Sequence, residues 1–317
     1  MKNKKGLSRE LLIVVAAMAL ALITAYIPQL SIFNIMIPAI YAVIGTITDN
    51  KYSILSIIIT FFVLVIFVDV SYALSICIIN AAPGIIVGKA TRVCIERESR
   101  NISEPIYVGI IAFVISTVLY FLITQLILKV NLLDEFMKIL EGSINTQISS
   151  IKEYQPQLIE DLNSKDLLIY FNNMLPMMLF LQGVISAFIT YYLSIFFLKK
   201  MKWNVESPKF TGFYLPGNAV MTSFVLYLLV LFIKFVGSKL YTDLIMMNLQ
   251  LVFSLMFIIQ GIAVCIYYFR RWVKEGKVTN ILFSGITLGL FGVMGVSFVG
   301  MIDSIIDFRK VRSYKST

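Results

Sequence analysis

Nine apolar stretches, set apart by short connections rich in lysine and arginine, leave this chain few ways to fold. They fall at about 11–27, 31–48, 52–68, 70–88, 105–128, 167–198, 217–237, 245–269 and 279–306. Crossing the hydrocarbon core of a bilayer takes roughly 20 residues of helix, and most of the stretches approach that length. Residues 52–68 and 105–128 hold no side chain that is charged at neutral pH. In lipid every backbone amide must find its partner within its own segment, so the stretches are expected to be helices. The expected fold is an all-α polytopic membrane protein with about 8–10 transmembrane helices.

Composition removes several function classes. Hydrophobic residues make up 59% of the chain and only 14% is charged, more apolar surface than a water-soluble core absorbs. The formal charge of +9 does not imply nucleic acid, because Lys and Arg sit in short clusters between apolar spans and not on a folded polar surface. Histidine is absent, which removes the commonest general base and the commonest metal ligand. Cys77, Cys94 and Cys265 form no disulfide framework. The sequence shows no P-loop, nucleotide fingerprint or convergent catalytic set. The chain is therefore read as a non-enzyme without cofactor or metal, its first contact being the lipid bilayer itself.

Lysine and arginine write the orientation. They cluster in 1–10, 89–104, 199–209 and 270–277, all on one side of the alternating spans, and are sparse on the other. By the positive-inside rule the N-terminus lies in the cytoplasm. The basic tail (Arg309, Lys310, Arg312 and Lys315) sits awkwardly with nine crossings, and 279–306 is rich in glycine. That segment is expected to form either a re-entrant bend or one long tilted helix, with the tail on the inner side.

Residues 129–166 form an outer loop whose apolar positions Leu132, Phe136, Leu140, Ile144, Ile148 and Ile151 recur at helical spacing. They predict amphipathic helices over the outer mouth of the bundle, broken at Gly142 and Pro156, against the alternative of a solvated loop. Trp203 and Trp272 stand beside basic residues and mark the inner interface.

Polar groups inside apolar spans are the candidates for function, since lipid penalises them and they turn toward protein. Asp69, Asn80, Gln125, Asn172 (with Asn173) and Gln182 are the candidate solute-binding residues; Gln260 is a further isolated amide. Against this stands the reading that amides only tie helices together, and that Asp69 is a turn residue. Pro38, Pro83 and Pro176 remove backbone bonds within spans. Gly84 and Gly88 give a face for close helix packing. Ala17, Ala21 and Ala25 form one stripe on the first span, suited either to packing within the chain or to docking another membrane protein. Asp303 and Asp307 are one helical turn apart, with Arg309 placed to neutralise a carboxylate at the inner boundary.

Two motifs reach beyond generic membrane composition: Phe210-Thr211-Gly212-Phe213-Tyr214-Leu215-Pro216, and Gly300-Met301-Ile302-Asp303 leading to Asp307-Phe308-Arg309-Lys310. With the hydropathy profile they make the chain resemble the YybS-like family of bacterial membrane proteins. That family is distantly similar to the substrate-binding S components of energy-coupling-factor transporters. The resemblance implies a six-helix bundle over 1–198, with the loop 129–166 closing over a small solute, and further helices over 199–317 that S components lack. It also implies that Ala17, Ala21 and Ala25 dock on a coupling-factor membrane subunit whose partner ATPases supply the energy. The expected function is a small-solute-binding protein of the bacterial cytoplasmic membrane, part of a transport system. The alternative is a non-transporting scaffold or regulatory membrane protein. A cysteine placed after Lys315 is expected to resist an impermeant thiol reagent in intact cells; ready labelling would put the tail outside.

Overall fold

A computed structural model of the chain describes residues 4–97, 103–154, 164–206, 208–215, 219–237, 241–272 and 277–311. Among these every regular element is helical: α1 (Lys4–Tyr26), α2 (Ile37–Ile47), α3 (Asn50–Phe67), α4 (Val70–Ser75), α5 (Ala82–Glu96), α6 (Glu104–Ile123), α7 (Leu132–Tyr154), α8 (Ser164–Lys200), α9 (Ala219–Phe235), α10 (Thr242–Trp272) and α11 (Lys277–Ile306). A 3₁₀ segment, Pro28–Met36, leads into α2, and π-helical turns occupy Ile76–Ala81 and Thr124–Leu128. Among the described residues six helices or helix runs are long and apolar enough to cross a membrane, and three shorter apolar helices accompany them. The chain is an all-α polytopic membrane protein.

Burial is inverted as lipid requires. Along α3 the buried positions are Ser53, Ser56, Thr60 and Leu64, while Ile54, Phe62 and Ile66 point outward, Ile66 at 75% exposure. The hydroxyls of Ser56 and Thr60 bond back to the carbonyls of Ser53 and Ser56, so inward polar groups are satisfied and lipid meets hydrocarbon.

The chain divides into two compact units, Met1–Ser99 with Glu104–Glu206, and Ser207–Thr317 with Arg100–Ser103. In the first unit α2 is the central helix, almost wholly buried from Ile37 to Thr46 and packed against α1, α5 and α8. Its crossing with α5 brings backbone onto backbone. A Cβ built on Gly88 would stand 2.1 Å from the Ala42 carbonyl oxygen, and one on Gly84 2.4 Å from that of Pro38. Thr46 Oγ1 donates to Gly88 O at 3.1 Å across this contact. The close-packing face expected from Gly84 and Gly88 is thus present.

The alanine stripe of α1 lies inside this unit. Ala17 and Ala21 are fully buried in the core with Tyr41, Leu64 and Ala73, and Ala25 is half-buried. Tyr72 on α4 donates its hydroxyl to Ala21 O at 2.8 Å. Of the two expectations for the stripe, packing within the chain is the one its burial matches, because Ala17 and Ala21 present no surface to a partner.

Proline accounts for one π turn. Pro83 has no N–H to give the carbonyl of Ile79, and its ring crowds that oxygen. The backbone widens ahead of it, and Ala82 N–H reaches back five residues to Cys77 O. Pro38 and Pro83 therefore stand in the first turns of helices and not mid-helix, while Pro176 lies inside α8.

Among its described residues, the loop expected to contain two or more amphipathic pieces holds α7 as one unbroken helix, packed against α8. Gly142 does not break it, since a lone glycine costs a helix only about 1 kcal/mol and nothing crowds it there. Pro156 lies outside the described residues. The half-buried face runs through Leu133, Met137, Leu140, Ile144 and Ile148; Phe136 and Ile151 are exposed.

In the second unit α10 and α11 form the main contact, with α9 against both. Here too glycine permits carbonyl contact: a Cβ on Gly300 would fall 1.9 Å from Phe257 O, and one on Gly261 2.0 Å from Val296 O. Gly292 breaks α11 with φ 65° and ψ 171°, a conformation open essentially to glycine alone. Segment 279–306 is therefore bent and not one straight tilted helix. Gly88→Val is expected to lower the unfolding temperature in detergent by the equivalent of about 1–3 kcal/mol or more. Gly142→Val, where space is open, serves as the comparison that changes little.

Candidate functional site

The five polar residues singled out in the first unit separate by depth. Asp69 sits between the spans Asn50–Phe67 and Val70–Glu96; it is exposed, and its carboxylate accepts Tyr72 N–H at 2.8 Å as the N-cap of α4. That is the work of a turn residue. Gln125 is exposed near the end of the Glu104–Leu128 span, and Asn172 is exposed in the early part of α8. These three lie toward span ends.

Asn80 and Gln182 lie deeper. Asn80 is some ten residues into a 27-residue span, about 15 Å at 1.5 Å per residue, which is near mid-membrane. It sits in the π turn ahead of Pro83 and is half-buried. That turn packs against α6. On α6, Thr117 donates its hydroxyl to Gln182 Oε1 of α8 at 3.2 Å, and also reaches Phe113 O at 2.9 Å. The fold thus brings the Asn80 turn and the Thr117–Gln182 pair onto α6. Thr117 escaped the sequence reading, because a threonine in an apolar span signals no more than back-bonding to its own helix. The proline at 83 signalled a disturbed backbone beside Asn80, but its form, a π turn and not a break, did not follow from the sequence.

These groups are uncharged donors and acceptors. Bare amides and hydroxyls at mid-depth can hold a neutral or internally compensated polar solute by hydrogen bonds; they offer no nucleophile or acid–base pair. No group of three or more metal-ligating side chains occurs among the described residues.

A second constellation lies within the second unit and joins the two motifs of the sequence. Asp303 Oδ2 accepts from Gln260 Nε2 at 2.8 Å, from one terminal nitrogen of Arg309 at 2.8 Å and from its Nε at 3.3 Å. The Arg309 guanidinium also donates to Thr211 O at 2.6 Å and Phe213 O at 2.8 Å. Gln260 Oε1 in turn accepts Leu215 N–H at 2.9 Å and Ser304 Oγ–H at 3.0 Å. The side chains of Arg309 and Asp303 are 0% and 1% exposed. The expectation of an ion pair near the boundary meets a different environment: the pair is buried and grips a loop. The contact of Gly300 and Gly261 with the opposite helix explains it, since Asp303 and Gln260 stand beside those glycines and are drawn together.

This set is a clamp. Its donors are directed to carbonyls at the end of a single 3₁₀ turn, Phe210–Gly212, and in the extended residue after it, which no following helical turn satisfies. Asp303→Ala leaves the Arg309 charge buried without its counterion and is expected to cost about 3–5 kcal/mol. Asp303→Leu combined with Arg309→Met should recover a large part of that loss. A double-mutant cycle on detergent unfolding temperatures reads the coupling.

Residues 15–304 match the model of a family described as a predicted membrane protein (DUF2232). No curated protein and no solved structure matches the chain.

Proposed function

The chain belongs to that family of membrane proteins, and from this premise we propose that its first unit binds a small, neutral, hydrogen-bonding solute at mid-membrane depth, in the service of transport. The observation that carries the reading is the π turn at Ile76–Ala81, which widens a membrane span where Asn80 stands. Widened turns of this kind recur at functional sites. A polar side chain there is costly in lipid unless protein or solute answers it.

The remaining groups fit the same use. Asn80 offers amide donors and an acceptor, and the Thr117–Gln182 pair stands on helices neighbouring the turn. The absence of a formal charge on all three favours an uncharged or zwitterionic solute over an ion. Energy for transport would come from elsewhere, since the chain has no P-loop. A coupling-factor subunit with its ATPases would have to engage a surface other than Ala17 and Ala21, which are enclosed in the core.

Screening the purified full chain by thermal shift against neutral water-soluble vitamins and nucleobases is the test. A binding solute is expected to raise the unfolding temperature. Asn80→Ala and Gln182→Ala are each expected to weaken it roughly five- to tenfold, as loss of one or two net hydrogen bonds implies. Gln125→Ala, on the exposed end of its span, should leave binding intact. A solute whose affinity ignores Asn80 and Gln182 would remove the mid-depth site.

A further inference from the structure

Three span ends converge at one membrane face. The span Pro28–Ile47 ends there, Asn50–Phe67 begins there and Val70–Glu96 ends there. Lys89 Nζ donates to Thr48 O at 2.6 Å and an Arg92 terminal nitrogen donates to the same carbonyl at 3.1 Å, tying the last turns of α5 to the α2–α3 turn. The carbonyl is the negative end of α2, so cations gather on it. Arg92 Nε also donates to Glu96 at 2.8 Å, and its terminal nitrogen lies 3.6 Å from Asp49. An open cleft of about 380 Å³ is left here, lined by Asn50, Lys89, Arg92, Val93 and Glu96.

The cleft has unused hydrogen-bonding capacity. An ammonium carries three N–H donors and a guanidinium five. The contacts among the described residues use one donor of Lys89 and two of Arg92, with a third of Arg92 turned to Asp49, so both can still bind a ligand. Its charges are divided: Lys89 and Arg92 stand against Glu96 in the lining and Asp49 just behind Arg92. A simple anion would meet two cations whose attraction the carboxylates largely cancel. A group carrying a phosphate and an ammonium a few ångströms apart meets complementary charge at both ends.

Depth and apolar surface complete the fit. The lining residues Asn50 and Glu96 are themselves the ends of membrane spans, which sets the cleft at headgroup level. Toward the membrane interior, Val93 and Ile86 lie seven residues apart on one face of α5 and are 37% and 42% exposed, a surface for acyl chain. We propose that this cleft is a headgroup site for a zwitterionic aminophospholipid. The phosphate rests on Lys89, Arg92 and Asn50, and the primary ammonium lies against Glu96. On the positive-inside orientation it belongs to the inner leaflet.

The experiment is native mass spectrometry of the delipidated full chain with phosphatidylethanolamine, phosphatidylcholine, phosphatidylglycerol or inorganic phosphate added. Phosphatidylethanolamine is expected to bind about tenfold more tightly than phosphatidylcholine, whose quaternary amine cannot donate a hydrogen bond, as a charge-assisted bond implies. Glu96→Gln should abolish its advantage over phosphatidylglycerol, and Arg92→Gln should weaken both. Equal or stronger binding of phosphatidylglycerol by the wild-type chain would overturn the zwitterionic assignment. Full displacement of the lipid by inorganic phosphate would make this a site for free phosphate and sink the proposal. If Arg92→Gln does not fold, the exposed Glu96→Gln still decides, because unchanged lipid preference there also overturns it.

Discussion

Contact between helix backbones is the constraint on which both units depend. Lipid removes the hydrophobic drive that pulls soluble helices together, so association rests on close packing and on the hydrogen bonds such packing allows. At Gly88 on Ala42, and at Gly300 on Phe257, carbonyl oxygens occupy the space a Cβ would take. Each crossing then brings polar neighbours within reach. Thr46 bonds to the Gly88 carbonyl in one case, and Gln260 bonds to Asp303 in the other.

The two units use their buried polar groups differently. In the second, the Arg309 charge and the Gln260 amide hold a 3₁₀ turn and the extended residues after it, Thr211 to Leu215, while Asp303 Oδ1 is buried without a hydrogen-bond partner among the described residues. The buried ion pair is a device of position, since its desolvation offsets much of its attraction. In the first, the polar groups at depth are neutral, and the helix itself is widened beside Asn80. The neutral groups beside a widened turn are why the solute is assigned to the first unit.

Much of the architecture was legible in the chain. Nine apolar stretches became the helical runs, because backbone satisfaction in lipid is a local matter within each segment. Gly84 and Gly88 were readable from composition as a close-packing face, whereas the bend in 279–306 and the turn role of Asp69 were each one of two readings left open. Less was legible at the site. Asn172 and Gln125 looked equivalent to Asn80 and Gln182 as isolated amides, yet the first two are exposed and the second two half-buried. The alanine stripe carried two readings of equal chemical sense, and only burial tells which surface is available.

The sequence by itself determined that this is a helical membrane protein, where its spans run, and which polar side chains lipid would penalise, because each follows from the length and local chemistry of one segment. Only the tertiary structure decided which of those side chains meet. Asp303 finds Gln260 across 43 positions and Arg309 reaches Thr211 across 98. Such pairings depend on which helix faces approach, and that is set by small residues fitting against a distant backbone, a relation no single segment contains.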